Sequence, residues 1–335
     1  MPALTDRPVR FGVVGTGWIA SAFTTDLGRL DDAVVSAVGS RSQASADRFG
    51  DQHGVGRRHA SYAELVADPE VDVVYVATPH PGHHDAAMLA IEAAKAVLVE
   101  KPFMMDAAEA QDVVDAARRK GVFVMEAMWT RFLPHMAAVR DVLAGGTLGD
   151  VVTVTADHGQ WFVADPEHRV FAPGLGGGAL LDLGIYRVSL ASMVLGAPDV
   201  VTARSSKAFT GVDAQTSVIL DHPGGAQAVL TTTLLARSPT RAAIVGTDAR
   251  LEIDTVWYQP SSFTVLARDG QVLQRYTEDA VGHDGLRHQA AEVVRCLRAG
   301  ETESPVMPLD ETLAIMRTMD EIRRQIGRAS CRERV

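Results

Sequence analysis

Val9-Arg10-Phe11-Gly12-Val13-Val14-Gly15-Thr16-Gly17-Trp18-Ile19-Ala20 reads as a buried strand, a tight glycine turn and the start of a helix. Gly15 lets the chain leave the strand sharply. Gly17 removes a side chain where a pyrophosphate would approach the backbone, and Ala20 takes the third small position, where helix packs on strand. The amides that open the helix, those of Trp18 and Ile19 among them, are expected to meet the phosphates at the positive end of the helix dipole. One such turn is a common feature. Its place at the first strand of a long strand–helix alternation gives it weight.

The rest of the chain suits that opening. At 335 residues it is long for one core and comfortable for two domains. A formal charge of −10 argues against nucleic acid or an anionic membrane as partner. No run of about 20 apolar residues suggests a membrane span, and no basic-then-apolar leader opens the chain. The two cysteines, Cys296 and Cys331, make neither a disulfide framework nor a metal cluster, which fits a cytoplasmic protein. Residues 326–335 break the amphipathic pattern before them and resemble a translated sequencing adapter, so they are expected to be non-native.

Between Ala33 and Gly149 strands and helices alternate, as in a doubly wound parallel sheet of the Rossmann type. In such a sheet ligands sit at the carboxyl ends of the strands. The second strand, Ala33 to Gly39, ends in Ser40-Arg41-Ser42. A carboxylate there would accept from the ribose hydroxyl of NAD; Ser40 and Arg41 favour the extra phosphate of NADP. The apolar run Val71 to Ala77 ends in Thr78-Pro79-His80-Pro81-Gly82-His83-His84, which brings His80 and His83 toward the cofactor crevice. No carboxylate or thiol joins these histidines at ligand spacing, so no metal is expected. Ala96 to Val99 is followed by Glu100-Lys101-Pro102, and Val122 to Met125 by Glu126-Ala127-Met128-Trp129-Thr130-Arg131-Phe132.

The pattern changes near Gly149. After a strand at Val151 to Gln160, a Pro- and Gly-rich loop leads to Gly176-Gly177-Gly178 and a helix from Ala179 to Leu195. Asp182 and Tyr186 lie four apart on it, so a regular helix would give them one face. Val200 to Tyr276 holds strand-like segments and turns alone, an antiparallel sheet with one face on helices. An apolar outer face would make a dimer surface. Leu286 to Ala299 and Leu309 to Ile326 are terminal helices. The expected division is a cofactor domain at 1–128, a substrate and dimerisation domain at 129–325, and the tail.

These motifs, in this order, resemble the Gfo/Idh/MocA family, which takes its name from glucose–fructose oxidoreductase and inositol dehydrogenase. The resemblance covers roughly residues 8 to 325 and rests on the glycine turn, Thr78-Pro79-His80-Pro81-x-His83, Glu100-Lys101-Pro102 and Gly-Gly-Gly-x-x-x-Asp182-x-x-x-Tyr186. Glu126 to Phe132 and Glu303-Ser304-Pro305-Val306 are similar to the branch of dihydrodiol and NADP-dependent D-xylose dehydrogenases. Many members carry His where Tyr186 stands. The resemblance implies an α/β protein with an N-terminal Rossmann sheet, an open-faced and mostly antiparallel C-terminal sheet, and a homodimer. It adds Thr78 and Glu100 to the cofactor crevice.

The implied reaction moves a hydride between nicotinamide and a carbinol carbon of a sugar, cyclic polyol or trans-dihydrodiol while the oxygen exchanges a proton. A free tyrosine titrates near about 10, and an adjacent ammonium lowers that value. The resemblance pairs Tyr186, the proton carrier, with Lys101, which polarises the oxygen and contacts the nicotinamide ribose. Asp182 orients the lysine or binds a substrate hydroxyl. Trp129 and Phe162 would form an apolar wall for the substrate and Arg131 would anchor the same loop, all three counted with the substrate-binding residues. Gly211-Val212-Asp213 is family-like with no assigned role. The alternatives are a keto- or anhydro-sugar reductase and a non-catalytic NAD(P)-binding sensor.

Overall fold

A computed structural model describes residues 7–280 and 282–327. Eight of the ten residues expected to be non-native, 328–335, lie outside the described residues. Contacts divide the chain into two units. The first runs to Phe132 and takes in His283–Leu313; the second holds Leu133–Gly282 and resumes at Ala314.

The first unit holds strands β1 (Val9–Val14), β2 (Ala33–Gly39), β3 (Arg57–His59), β4 (Val73–Val76), β5 (Ala96–Glu100) and β6 (Val124–Ala127). They form one sheet in the order β3-β2-β1-β4-β5-β6, and every pairing is parallel. That is the Rossmann order, with its switch point between β1 and β4. β4 and β5 are buried along their whole length, hence the apolar runs at 73–76 and 96–99. The helices are α1 (Trp18–Leu27), α2 (Gln43–His53), α3 (Tyr62–Ala67), α4 (His83–Glu92) and α5 (Ala107–Lys120). Ser42, Ser61 and Asp106 cap the starts of α2, α3 and α5 by accepting backbone N–H groups.

The second unit begins with α6 (Pro134–Ala144) and β7 (Val151–Gly159), followed by α7 (Ile185–Leu195). Strands β8 (Val200–Lys207), β9 (Asp213–Asp221), β10 (Gln227–Thr233), β11 (Ala242–Gly246), β12 (Ala249–Ile253), β13 (Phe263–Ala267) and β14 (Val272–Tyr276) follow. With β7 they make an eight-stranded sheet, β14-β13-β12-β11-β7-β10-β9-β8, antiparallel except where β7 meets β10. Burial alternates along β9 and β10. One face is covered; the other leaves Ile219 and Val229 exposed among glutamines, serines and threonines.

Two expectations need correction. A single cut after Met128 misses the return of α8 (Arg287–Ala299), which packs against α1 and the Trp129–Phe132 turn of the first unit. Asp26 secures that return by accepting the N–H groups of Gly285 and Arg287 and pairing with the Arg287 guanidinium. The helix expected from Ala179 instead opens with a wide π turn, Leu180–Gly184, before α7. Asp182 lies in that turn and Tyr186 beyond it, so four-residue spacing does not by itself align them. The helical stretch Pro173–Leu195 is long and apolar enough to cross a membrane, but 78% of its most apolar window is buried within the protein, as befits a helix covered on several sides.

Candidate active site

The glycine turn fits a dinucleotide. Gly15 has φ +105°, and a Cβ there would lie 2.6 Å from the carbonyl oxygen of Ala77, just past the end of β4. Gly17 differs: a Cβ would meet nothing within 4 Å. It caps α1, whose first turn carries no acidic residue and no side-chain cap. Its opening N–H groups, from Trp18 and Ile19 onward, are thus left for an anion. Trp18 is 64% exposed beside them. At the end of β2, Ser40 is buried and Arg41 exposed, and no described residue hydrogen-bonds the Arg41 guanidinium.

The ends of β4 and β5 are tied together from inside. His83 is fully buried; its Nδ1 lies 2.9 Å from the carbonyl oxygen of Pro102 and its Nε2 3.0 Å from that of Thr78. Burial pushes its pKa down. The ring is therefore a strut between two turns rather than part of the crevice surface, which corrects the expectation. His80 is half-buried at the same turn, and Thr78 is buried. Glu100 also faces inward. Tyr75 donates to its Oε1 at 2.6 Å, and the backbone N–H of Lys101 donates to its Oε2 at 3.1 Å. Both residues shape the turn that carries Lys101.

Beyond Lys101, the N–H of Phe103 donates to Glu126 Oε1 at 3.1 Å. Glu126 is fully buried, and desolvation pushes its pKa up to about 7. Trp129 is buried and stacks on His283 at 5.4 Å, while Trp18 meets the same imidazole edge-on at 4.6 Å. Burial, then the charge of Lys101, pushes the His283 pKa down. Arg131 is buried too and pairs with Glu311 at 2.6 Å, so its guanidinium anchors the fold of the first unit.

In the second unit Tyr186 opens α7 with 8% of its surface exposed. The Gly-rich approach to it is set by Asp213, whose Oδ2 accepts the Leu180 N–H at 2.6 Å. Both Asp182 oxygens meet Arg169, at 2.9 and 3.1 Å, within the second unit. Phe162 packs on an apolar cluster that includes Phe171, Leu183 and Leu234. The neighbours of Tyr186 are polar aromatics: His158 at 5.7 Å and Tyr258 at 4.9 Å between ring centroids. Arg187 lies buried next to it, donating to the His158 carbonyl oxygen at 3.4 Å, and desolvation pushes its pKa down to about 9. Sequence reasoning missed Glu126, His158, Tyr258 and His283. The inward parity of β7 would have found His158.

A parallel sheet in Rossmann order, with open space at Gly17 beside an uncapped helix start, is the arrangement of a dinucleotide-binding domain. Residues 9–128 match the oxidoreductase family of NAD-binding Rossmann fold called GFO_IDH_MocA, and residues 136–252 match a C-terminal domain of the same family. The chain is 38% identical over 326 residues to trans-1,2-dihydrobenzene-1,2-diol dehydrogenase of Macaca fuscata fuscata, covering 95% of this chain and 97% of that protein. Its fold matches the aldose-aldose oxidoreductase of Caulobacter crescentus, solved with glycerol, with TM-score 0.86 and 25% identity over 96% of this chain and 98% of that one. It also matches KijD10, a 3-ketoreductase of Actinomadura kijaniata solved with NADP and TDP-benzene, with TM-score 0.83 and 26% identity over the same shares. The chain belongs to the Gfo/Idh/MocA family of oxidoreductases.

Proposed function

We propose that this protein is an NADP-dependent dehydrogenase of a sugar, cyclic polyol or vicinal diol, with Tyr186 as proton carrier and Lys101 as its cationic partner. The observation that carries the reading is the setting of Tyr186. Its phenol-bearing ring opens a helix among His158 and Tyr258, two side chains that can donate and accept protons. Bound cofactor supplies a hydride acceptor or donor at its nicotinamide ring. Tyr186 takes the hydroxyl proton of the carbinol as the hydride leaves and returns it in the reverse direction. The Lys101 ammonium favours the phenolate and polarises the substrate oxygen. Asp182, held by Arg169, orders the polar end of the substrate.

Arg41 and Ser40 support NADP over NAD, because an exposed guanidinium beside a serine suits the added phosphate. The reading includes a homodimer formed through the open sheet face and a cytoplasmic location. The relatives reported above support the substrate class through a diol and an aldose.

The test follows reduced-nicotinamide absorbance while wild type and Tyr186→Phe are screened against aldoses, cyclic polyols and trans-diols with NADP and with NAD. We expect turnover with NADP, weakened selectivity for NADP in Arg41→Ser, and a loss of at least about 10²-fold in kcat for Tyr186→Phe. Cofactor binding without turnover of any compound would show a sensor. Near-native turnover by Tyr186→Phe would remove that residue from the role.

A further inference from the structure

Gln160 continues the β7–β10 pairing past Gly159, its N–H donating to the Thr233 carbonyl oxygen at 3.0 Å. Its carboxamide is pinned as well. Nε2 donates to His158 Nε2 at 2.9 Å and to the Tyr258 hydroxyl at 3.1 Å. Those two rings stack on each other, 4.1 Å apart at 25°. Tyr258 in turn lies 4.9 Å from Tyr186. An amide that commits both protons inward turns its oxygen outward. Gln160 is half-buried, and no described residue bonds its Oε1. A fixed acceptor therefore stands one ring, that of Tyr258, away from the proton-carrier tyrosine.

We infer that Gln160 is a specificity-determining residue: its Oε1 accepts a hydrogen bond from a substrate hydroxyl on a carbon next to the reacting carbinol. The substrate class is then one with vicinal hydroxyls, and a lone secondary alcohol is a poor substrate. The inference rests on Tyr186 marking the reacting carbon. Pre-orientation matters here, because an amide already held in one geometry loses little freedom when the hydroxyl arrives. A neutral hydrogen bond at a half-exposed position corresponds to discrimination on the order of tenfold.

The experiment compares D-glucose with 2-deoxy-D-glucose, and trans-cyclohexane-1,2-diol with cyclohexanol, in wild type and Gln160→Met. Wild type should favour the vicinal hydroxyl by about tenfold in kcat/KM. Gln160→Met should erase that preference by raising KM for the hydroxylated partner far more than for the deoxy partner, with the NADP dissociation constant as the check that the cofactor site is intact. Tyr258→Phe, which removes one of the two groups pinning the amide, should lose part of the preference. Equal losses for both partners of a pair would overturn the inference. So would absent discrimination in wild type, or no turnover of any vicinal diol. Near-native turnover by Tyr186→Phe would overturn the reading of Tyr186 and with it the adjacency inferred here, whereas a preference that survives in Gln160→Met while Tyr186→Phe is inactive would overturn this inference alone.

Discussion

Two glycine-led helix starts dominate this molecule, and they use glycine for opposite reasons. At Gly15-Thr16-Gly17 the second glycine opens onto free space. At Gly176-Gly177-Gly178 the middle glycine is enclosed by its own chain: a Cβ on Gly177 would stand 2.8 Å from the carbonyl oxygens of Arg169, Val170 and Ala172. The first start keeps its amides for an anion. The second gives an amide, that of Leu180, to the buried carboxylate of Asp213. An open glycine thus marks where a ligand goes, and an enclosed one marks where the chain is bent to present Asp182 and Tyr186.

Substitution can break that contrast. Gly177→Ala should destabilise the protein by about 3 kcal/mol, the upper end for overpacking, because three backbone carbonyls must move. A urea midpoint shift with unchanged NADP affinity below the transition is expected; a fully stable variant would mean that the turn is not enclosed. Gly17→Ala should do the reverse. Its Cβ enters open space, so stability holds, while NADP affinity falls about tenfold, or about 1.4 kcal/mol. Unchanged affinity, read by calorimetry, would show that the phosphates do not approach Gly17.

The first start was legible because everything it needs is local: strand, turn and helix are consecutive, and parallel strands buried on both faces announce themselves as apolar runs. The strand-end residues followed from the same reasoning, although His83 and Glu100 turned inward. Strand-end position says where a residue begins, and its partners decide which way it points. The second start was legible as a motif and opaque as geometry. Asp182 meets Arg169 in a loop without periodicity, and the π turn leaves no mark in the apolar pattern. His158 and Tyr258 meet across a sheet in which β7 pairs with β11 and β11 with β12, a neighbourhood that no local spacing encodes. The return of α8 was hidden for a related reason. An amphipathic stripe shows that a helix is covered on one side, and it is silent about what covers it.

The second start has a buried carboxyl behind it, and so does the turn that carries Lys101, which extends the comparison through pH. Glu126 accepts the Phe103 N–H as Asp213 accepts that of Leu180, but desolvation outweighs this bond and raises its pKa from 4.5 to about 7. Between those values the folded protein holds a proton that the unfolded chain has released, so stability falls as pH rises through this window. The slope from this group is at most about 1.4 kcal/mol per pH unit. Glu126→Gln keeps an oxygen for Phe103 and has no charge to bury. Its urea midpoint should match wild type near pH 4.5 and exceed it progressively up to about pH 7. Parallel midpoints across that range would place the Glu126 carboxylate in a solvated setting, and the turn that carries Lys101 would then be open where the structure has it closed.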